Sequence, residues 1–229
     1  MKRLIGLILA VATLLSAGCA SVQKPVPLSL EALAARPTRV GVVLSTLPKP
    51  DTRFPGASCL LCLAAASVMN QSLTYHTATL STDDLATLPQ DIAARLRARG
   101  IDANAIDERI DLKALPGTRG AVDVAARDFH DVGTRYGFDK LIVLEVAMLG
   151  FQRSYSGYVP NSDPMGFLIG AGYMVDLQTN RYEWYTPLRV SKSADGAWDE
   201  PPKFPGLTNA YFQVIEMGKD RLIEPFIAP

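Results

Sequence analysis

The chain has 229 residues, of which 48% are hydrophobic and 20% are charged, with 23 basic and 23 acidic side chains. This composition is typical of a globular domain and argues against a disordered or fibrous chain. The balanced charge offers no basic surface for nucleic acid or for anionic lipid, so we expect neither kind of binding.

The first 19 residues have the layout of a bacterial secretory signal. Lys2 and Arg3 form a short basic start, an apolar run extends from Leu4 to Leu15, and small residues lead to Cys19. The run is shorter than the roughly 20 residues that a membrane-spanning helix needs. We expect residues 1–18 to be removed as a signal peptide. Because Lys2 and Arg3 leave with it, 21 basic and 23 acidic residues remain, a formal net charge of −2.

A cysteine directly after the cleavage position resembles the signal of bacterial lipoproteins. The resemblance implies that Cys19 carries a diacylglycerol and an N-acyl chain such as palmitate, and two or three acyl chains anchor a protein stably. Ala20 follows, where an Asp would retain enterobacterial lipoproteins at the inner membrane. The expected location is therefore the inner leaflet of the outer membrane, facing the periplasm. We expect residues 19–36 to be the lipidated cysteine and a tether, and residues 37–229 to be a single periplasmic domain.

The first half of that domain is predicted to contain a strand, two helices and a second strand, in that order. Arg39 to Leu44 is a β-branched run typical of a buried strand. Cys59 to Met69 is apolar on all sides and rich in Ala and Leu, which predicts a buried helix. A further helix is predicted from Leu85, or from Pro89 after a Thr87 cap, to a stop at Gly100. A weak strand follows over Ile101 to Ile106.

The second half is predicted to contain more strands than helices. In order, the predicted elements are a helix over Ala121 to Tyr136, a strand over Lys140 to Leu149, a loop over Gly150 to Pro164, strands over Gly166 to Gln178 and Arg181 to Lys192 joined by a Thr179-Asn180 turn, and a helix over Thr208 to Ile223. The whole order predicts an α/β (α+β-like) fold, a mixed sheet with a C-terminal antiparallel hairpin and helices packed on it in a single domain.

Two segments and the order of the elements carry a resemblance to a known family. The segments are Tyr136-Gly137-Phe138-Asp139, which enters a strand, and the hairpin from Val175 to Trp184. With the lipoprotein signal, they resemble the α/β domain of envelope lipoproteins of the CsgG and PelC type and of the lipoprotein activators of peptidoglycan synthases. The chain is also similar to a lipoprotein family of Gram-negative bacteria, which implies no particular activity. Long membrane-inserting segments of the CsgG kind are not found, so the resemblance does not imply a pore.

Cys59 and Cys62 are the cysteines that remain once Cys19 is acylated. In an oxidising compartment a Cys-x-x-Cys pair is either a structural disulfide, a pair of buried thiols, a redox pair or half of a metal site. A metal would need two more ligands, and His76 and His130 are the only histidines. We expect a structural disulfide and no metal or other cofactor beyond the lipid on Cys19.

No other motif in the sequence predicts catalysis. Neither histidine has an acidic or thiol partner at a recognised motif spacing, and His130 lies between acids, as a helix-surface residue does. Gly170-Ala171-Gly172 lacks the third glycine of a phosphate loop, and such a pair in a strand more often permits close approach of the backbone. We therefore expect a protein that is not an enzyme.

Aromatic residues gathered in two loops are the candidate interface. The first loop contains Phe151, Tyr155 and Tyr158, and the second, which is rich in proline, contains Trp198 and Phe204. Exposed aromatic side chains of this kind anchor protein interfaces. The alternative, loops folded over the sheet with their aromatic side chains buried, is equally compatible with the sequence.

The leading hypothesis from the sequence is a non-enzymatic, membrane-anchored envelope component that binds a protein partner or assembles with itself. One alternative is a thiol-disulfide protein that uses Cys59 and Cys62. Another is a lipoprotein that binds a small ligand or a glycan.

Overall fold

A computed structural model describes residues 23–34, 36–118 and 121–227. Cys19 and the predicted signal peptide lie outside these residues. The helices are α1 (Leu30–Ala34), α2 (Leu60–Met69), α3 (Gln71–Thr77), α4 (Leu88–Ala98), α5 (His130–Tyr136) and α6 (Pro205–Ile223), with 3-10 turns at Asp83–Leu85 and Glu224–Phe226. The strands are β1 (Arg39–Ser45), β2 (Asp51–Arg53), β3 (Asp102–Ile110), β4 (Lys140–Gln152), β5 (Tyr155–Ser156), β6 (Val159–Pro160), β7 (Met165–Asp176) and β8 (Arg181–Ser193).

One mixed sheet of six strands organises the described chain. Its order is β3-β1-β4-β7-β8, and β2 pairs with the far end of β4. The strands β3, β1, β4 and β2 are parallel, whereas β7 and β8 are antiparallel to their neighbours. The predicted fold class is confirmed, including the C-terminal antiparallel pair.

The two faces of the sheet bury separate hydrophobic clusters. On the first face, α4 and α6 cover the sheet, and Trp184, Tyr211 and Phe226 are among the buried side chains. On the second face, α5 and the chain before it cover Leu141, Val143 and Val175. The strands β1, β4 and β7 contribute side chains to both clusters, because successive residues of a strand point to opposite faces.

The predicted helix over Ala121 to Tyr136 is wrong in its first half. Only His130 to Tyr136 is helical, and Asp123 has a φ of 63°, which a helix does not allow. Hydrogen bonds with a distant residue hold residues 121–129 in a non-helical conformation. The buried Asn180 side chain accepts from the Phe129 N–H at 3.1 Å and donates to the carbonyl of Arg127 at 2.9 Å.

The last residues of the predicted tether belong to the folded domain. Val26 forms an antiparallel bridge with Tyr185 of β8, and Leu33 of α1 is buried in the first cluster. The Gln23 side chain donates to the Asp123 carboxylate and accepts from the Asp123 backbone N–H. Gln23, the first described residue, therefore lies in the folded domain beside the outer edge of β8.

The helix predicted over Cys59 to Met69 is confirmed as a helix, but its predicted burial is wrong. Only Cys62 and Ala66 of α2 are buried. Leu60, Leu61, Val68 and Met69 are largely exposed. The helix contacts the domain by one narrow stripe, so its apolar sides face outward.

Candidate functional site: an exposed apolar helix

The surface of α2 is the most apolar exposed surface on the described chain. Leu60 is 88% exposed and Val68 is 74% exposed, and both are aliphatic. No Asp, Glu, Lys or Arg occurs from Phe54 to Thr82, a stretch that includes α2 and α3. Soluble proteins rarely leave contiguous apolar surface in water, and larger patches mark sites of interaction.

A proline-rich connection and a Cys-x-x-Cys segment position the start of α2. Cys59 is the N-cap, and its sulfur accepts a hydrogen bond from the backbone N–H of Cys62 at 2.9 Å. The structure joins Cys59 and Cys62 in a disulfide, with Cys59 exposed and Cys62 buried. The Tyr158 hydroxyl lies 3.8 Å from the Cys59 sulfur.

A buried asparagine holds the other end of the helix. Asn70 caps the end of α2 and the start of α3, and it donates to the Tyr155 hydroxyl at 2.6 Å and to the Ala66 carbonyl at 2.7 Å. The Arg153 guanidinium donates to the Asn70 side-chain oxygen at 3.2 Å. These contacts fix α2 against the end of β4, so the exposed leucines belong to an ordered surface.

A groove of about 610 Å³ extends this surface toward β2. Leu63 and Val68 of α2 line one wall, and Phe54 and Tyr75 contribute aromatic edges. Tyr158 and Val159, on the β5–β6 hairpin, are exposed beside the start of α2. We call the exposed side chains of α2 together with Tyr75, Tyr158 and Val159 the apolar tip.

The predicted aromatic interface divides into buried and accessible residues. Phe151 and Tyr155 are buried, so their prediction as interface anchors is wrong: Phe151 packs on Tyr211 and Tyr155 on Phe54. These two side chains follow the alternative prediction, in which the loop folds over the sheet and buries its aromatic residues. Tyr158 is 55% exposed and belongs to the apolar tip.

Trp198 and Phe204 lie near the start of α6, and the Phe204 ring packs 5.6 Å from the ring of His76, which follows Tyr75 of the apolar tip. The Trp198 and Phe204 rings are stacked with centroids 6.2 Å apart, and the Arg153 guanidinium lies 4.8 Å from the Trp198 ring centroid. Both are half-buried. Their role as interface residues stays a prediction.

The two histidines each make local contacts. His76 Nε2 lies 2.7 Å from the Thr208 hydroxyl, and burial, with a smaller effect of Lys203, lowers the pKa of His76. A hydrogen bond with Asp128, supported by the Gln178 carbonyl, raises the pKa of His130. Among residues 23–34, 36–118 and 121–227, no three His, Cys, Asp or Glu side chains converge as ligands for a metal ion.

The apolar composition of α2 is visible in the sequence, but this composition favours a buried helix and not an exposed one. A helix that is apolar all round is typical of a buried element, and the sequence does not show whether another element covers it. None of the helices in the described part of the chain is long and apolar enough to cross a membrane.

No family model matches the sequence, and a comparison with curated proteins finds no match. Among solved structures, a PelC dodecamer variant from Paraburkholderia phytofirmans is 9% identical, covering 90% of this chain and 96% of that chain with a TM-score of 0.33. The protein XCC0632 from Xanthomonas campestris, of the DUF330 family, is 12% identical, covering 88% and 90% with a TM-score of 0.39.

The lipoprotein GNA1162 from Neisseria meningitidis is 12% identical, covering 79% of this chain and 96% of that chain with a TM-score of 0.29. The resemblance to PelC-type envelope lipoproteins thus recurs among solved structures, at low identity and low TM-score.

Proposed function

We propose that this protein is a non-enzymatic lipoprotein of the cell envelope that is anchored through Cys19 to the inner leaflet of the outer membrane. Its domain then faces the periplasm and self-associates through the apolar tip. The signal-like N-terminus supports the anchor. The observation that carries the self-association is the exposure of the aliphatic side chains of α2.

Gln23, the first described residue after the proposed anchor, and the apolar tip lie at opposite ends of the domain. Gln23 contacts Asp123, whose carbonyl accepts from the N–H of Tyr182, and Tyr182 lies level with Leu141 at the start of β4. The apolar tip is fixed beyond Gln152, at the end of β4. Eleven residues of strand separate the two levels, about 36 Å at 3.3 Å per residue.

The tether is too short to reverse this arrangement. From Cys19 to Gln23 there are four residue steps, which span at most about 14 Å. In the orientation that we propose, with the sheet upright and Gln23 toward the membrane, the apolar tip lies far from the bilayer. The tip also lacks the Lys and Arg residues that usually hold interfacial helices on lipid.

A second copy of the chain is the occupant that these features favour. Copies held by the same short tether present α2 at the same height above the membrane, so neighbouring tips meet side by side. A twofold contact brings a patch against itself, and a patch without charges meets no like-charge repulsion there. Anchoring in one leaflet also raises the effective concentration of copies.

The oligomeric state of the full-length lipoprotein in detergent tests this proposal. We expect an oligomer by native mass spectrometry, and we expect the double variant Leu60→Gln, Leu61→Gln to be monomeric. At a dilution where the wild type is also monomeric, the two should have the same melting temperature. Val122→Gln is the matched control, because Val122 is an exposed aliphatic residue outside α2. It should leave the oligomer intact.

Two results would overturn self-association through the tip. One is a wild-type monomer at every concentration examined. The other is flotation of a Cys19→Ser variant with phosphatidylethanolamine–phosphatidylglycerol vesicles that the Leu60 and Leu61 substitutions abolish. That result would make lipid, and not a second copy, the occupant of the tip.

A specific observation also favours a second candidate function, thiol-disulfide exchange. Cys59 is exposed at the start of a helix, and a backbone N–H is directed at its sulfur. A helix N-terminus stabilises a thiolate and makes a cysteine reactive. If this function is correct, the disulfide should exchange rapidly with glutathione in the native protein, whereas a structural disulfide should stay oxidised until the domain unfolds. The same mass spectra count the free thiols.

A further inference from the structure

A second concave surface lies on the second face of the sheet, away from the apolar tip. It is a cavity of about 580 Å³ over the centre of β4. Its walls come from the chain after β1, the chain after β3 and the extended segment before α5. Pockets of this volume are within the range that holds small ligands.

The topology of the sheet accounts for the position of this cavity. The chain leaves β1 toward β3 on one side through α4, which covers the first face. It leaves β4 toward β7 on the other side, and α5, which precedes β4, covers the second face. In open α/β sheets, ligands bind outside the carboxyl ends of parallel strands at the point where the strand order reverses. Ser45 and Asp111, at the carboxyl ends of β1 and β3, line this cavity.

The sheet also has a gap at the same place. β4 pairs with β1 as far as Leu144 and with β2 from Gly150 onward. Among the described residues, no strand pairs with β4 on this side from Glu145 to Leu149. Backbone polar groups in such a gap need partners, which a bound molecule or water can supply.

Two polar side chains in the cavity are buried or half-buried with unused hydrogen-bonding capacity. Ser45 is 3% exposed, and its hydroxyl has no hydrogen-bond partner in the described structure. Glu145 is half-buried, and burial raises the pKa of its carboxyl against the smaller opposing effect of the Tyr173 hydroxyl. The Tyr182 hydroxyl accepts from the Ala126 N–H at 3.4 Å and so keeps its own proton to donate.

The charges of the lining indicate the class of ligand. Arg127 and Lys113 balance Asp111 and Glu145, so the cavity favours no net charge in its occupant. Hydroxyl and carboxyl groups supply donors and acceptors, while Leu47 and Leu112 are among the apolar lining residues. We propose that this cavity binds a neutral molecule with several hydroxyl groups and an apolar face, the chemistry of a sugar ring, with the buried Ser45 and the half-buried Glu145 as its hydrogen-bonding groups.

Saturation-transfer NMR on the full-length protein tests the proposal. The probes are glucose, galactose and N-acetylglucosamine at millimolar concentration, and the detergent is lauryldimethylamine oxide, which has no sugar headgroup to compete. We expect transfer to ring protons of at least one sugar. Glu145→Gln should weaken binding about tenfold or more, because it replaces a charged carboxylate acceptor by a neutral amide of similar shape. Glu200→Gln, on an exposed loop, is the matched control and should bind as the wild type does.

Ser45→Ala separates a binding role from a structural one. The hydroxyl has no partner in the fold, so its removal should leave the melting temperature unchanged or higher while weakening sugar binding. The proposal is overturned if none of the three sugars shows transfer, or if Glu145→Gln and Ser45→Ala both bind as the wild type does. Tighter binding of glucosamine or glucuronate than of the neutral sugars would overturn the assigned ligand class.

Discussion

The residue type alone does not reveal whether a side chain of this protein is buried or exposed. Tyr155 and Tyr158 are three residues apart in one loop, yet one is buried against Phe54 and the other is 55% exposed. The sequence favours both equally as interface residues. Burial of a loop side chain depends on which neighbours fold over it, and an aromatic residue suits either outcome.

The strand glycines are residues whose role can be inferred from the sequence. The prediction of close backbone approach is confirmed at Gly170, where a Cβ would overlap the Glu145 carbonyl. At Gly172 the close neighbour is a side chain instead, since a Cβ there would lie 2.5 Å from the Trp184 ring. The inference succeeds because a glycine weakens the interior of a strand, so it is typical of places where another group comes too close for a side chain.

Replacing Gly170 should therefore be costly. We expect Gly170→Ala to lower the free energy of unfolding by about 3 kcal/mol or more, since the overlapping atom belongs to the backbone of β4 and cannot move aside alone. Urea unfolding followed by circular dichroism measures this. Gly117→Ala is the control, because the nearest atom to a Cβ there is the end of a side chain at 3.9 Å. Equal stability of the two variants would contradict the close approach.

The pKa values of the two histidines should be shifted in opposite directions. The hydrogen bond with Asp128 raises the pKa of His130, and burial lowers that of His76, relative to the ordinary value of about 6.5. Carbon–proton correlation spectra against pH should resolve both. Asp128→Asn should lower the pKa of His130 and leave that of His76 unchanged; a shift of both would contradict a local pair.

The same shifts fix the sign of their effect on stability. The folded state favours protonated His130, so its contribution is present below the unfolded pKa and is lost as the pH rises through the higher folded pKa. His76 acts in the reverse sense, because its contribution is present above the unfolded pKa and is lost as the pH falls. His130 is exposed, so solvent screens its pair with Asp128.

At the scale of elements, α2 and α5 show the two ways in which local patterns mislead. The predicted type of α2 is correct because an Ala- and Leu-rich stretch favours a helix wherever it lies. Its predicted burial is wrong because burial needs a second element, and only the stripe of Cys62 and Ala66 meets one. Before α5, hydrogen bonds from Asn180 override the helix propensity of the nine residues that precede His130.

Substitutions on the two sides of α2 should therefore have opposite consequences for folding. We expect Leu60→Gln with Leu61→Gln to change the free energy of unfolding by no more than about 0.5 kcal/mol each, because both side chains are already in water. Ala66→Leu should cost about 1–3 kcal/mol, since Ala66 is 1% exposed and an added side chain has no space. Thermal unfolding of monomeric protein at high dilution measures both effects. A large loss of stability in the Leu60→Gln, Leu61→Gln variant would mean that another part of the chain covers α2.

At the scale of the whole molecule, the sheet joins the two hydrophobic clusters into one folding unit. β1, β4 and β7 place side chains in both clusters, so neither face can lose its packing while the other keeps its strands. This is the physical basis for treating the described domain as single.

Unfolding should consequently be one cooperative transition. We expect Trp184 fluorescence, which reports the first face, and far-ultraviolet dichroism, which reports the strands shared by both faces, to give the same urea midpoint. The Trp198→Phe variant isolates the Trp184 signal. Two separated midpoints would contradict a shared sheet core.

The sequence by itself determined the fold class, most of the strands and helices, and the signal-like N-terminus. These features depend on residue order over short spans, through hydrophobic periodicity, helix caps and turn residues. Only the tertiary structure decided that α2 is exposed, that Phe151 and Tyr155 are buried, and that Ser45 and Glu145 lie in one cavity. Those facts depend on which distant segments meet, since pairings such as β1 with β4 connect residues about a hundred positions apart.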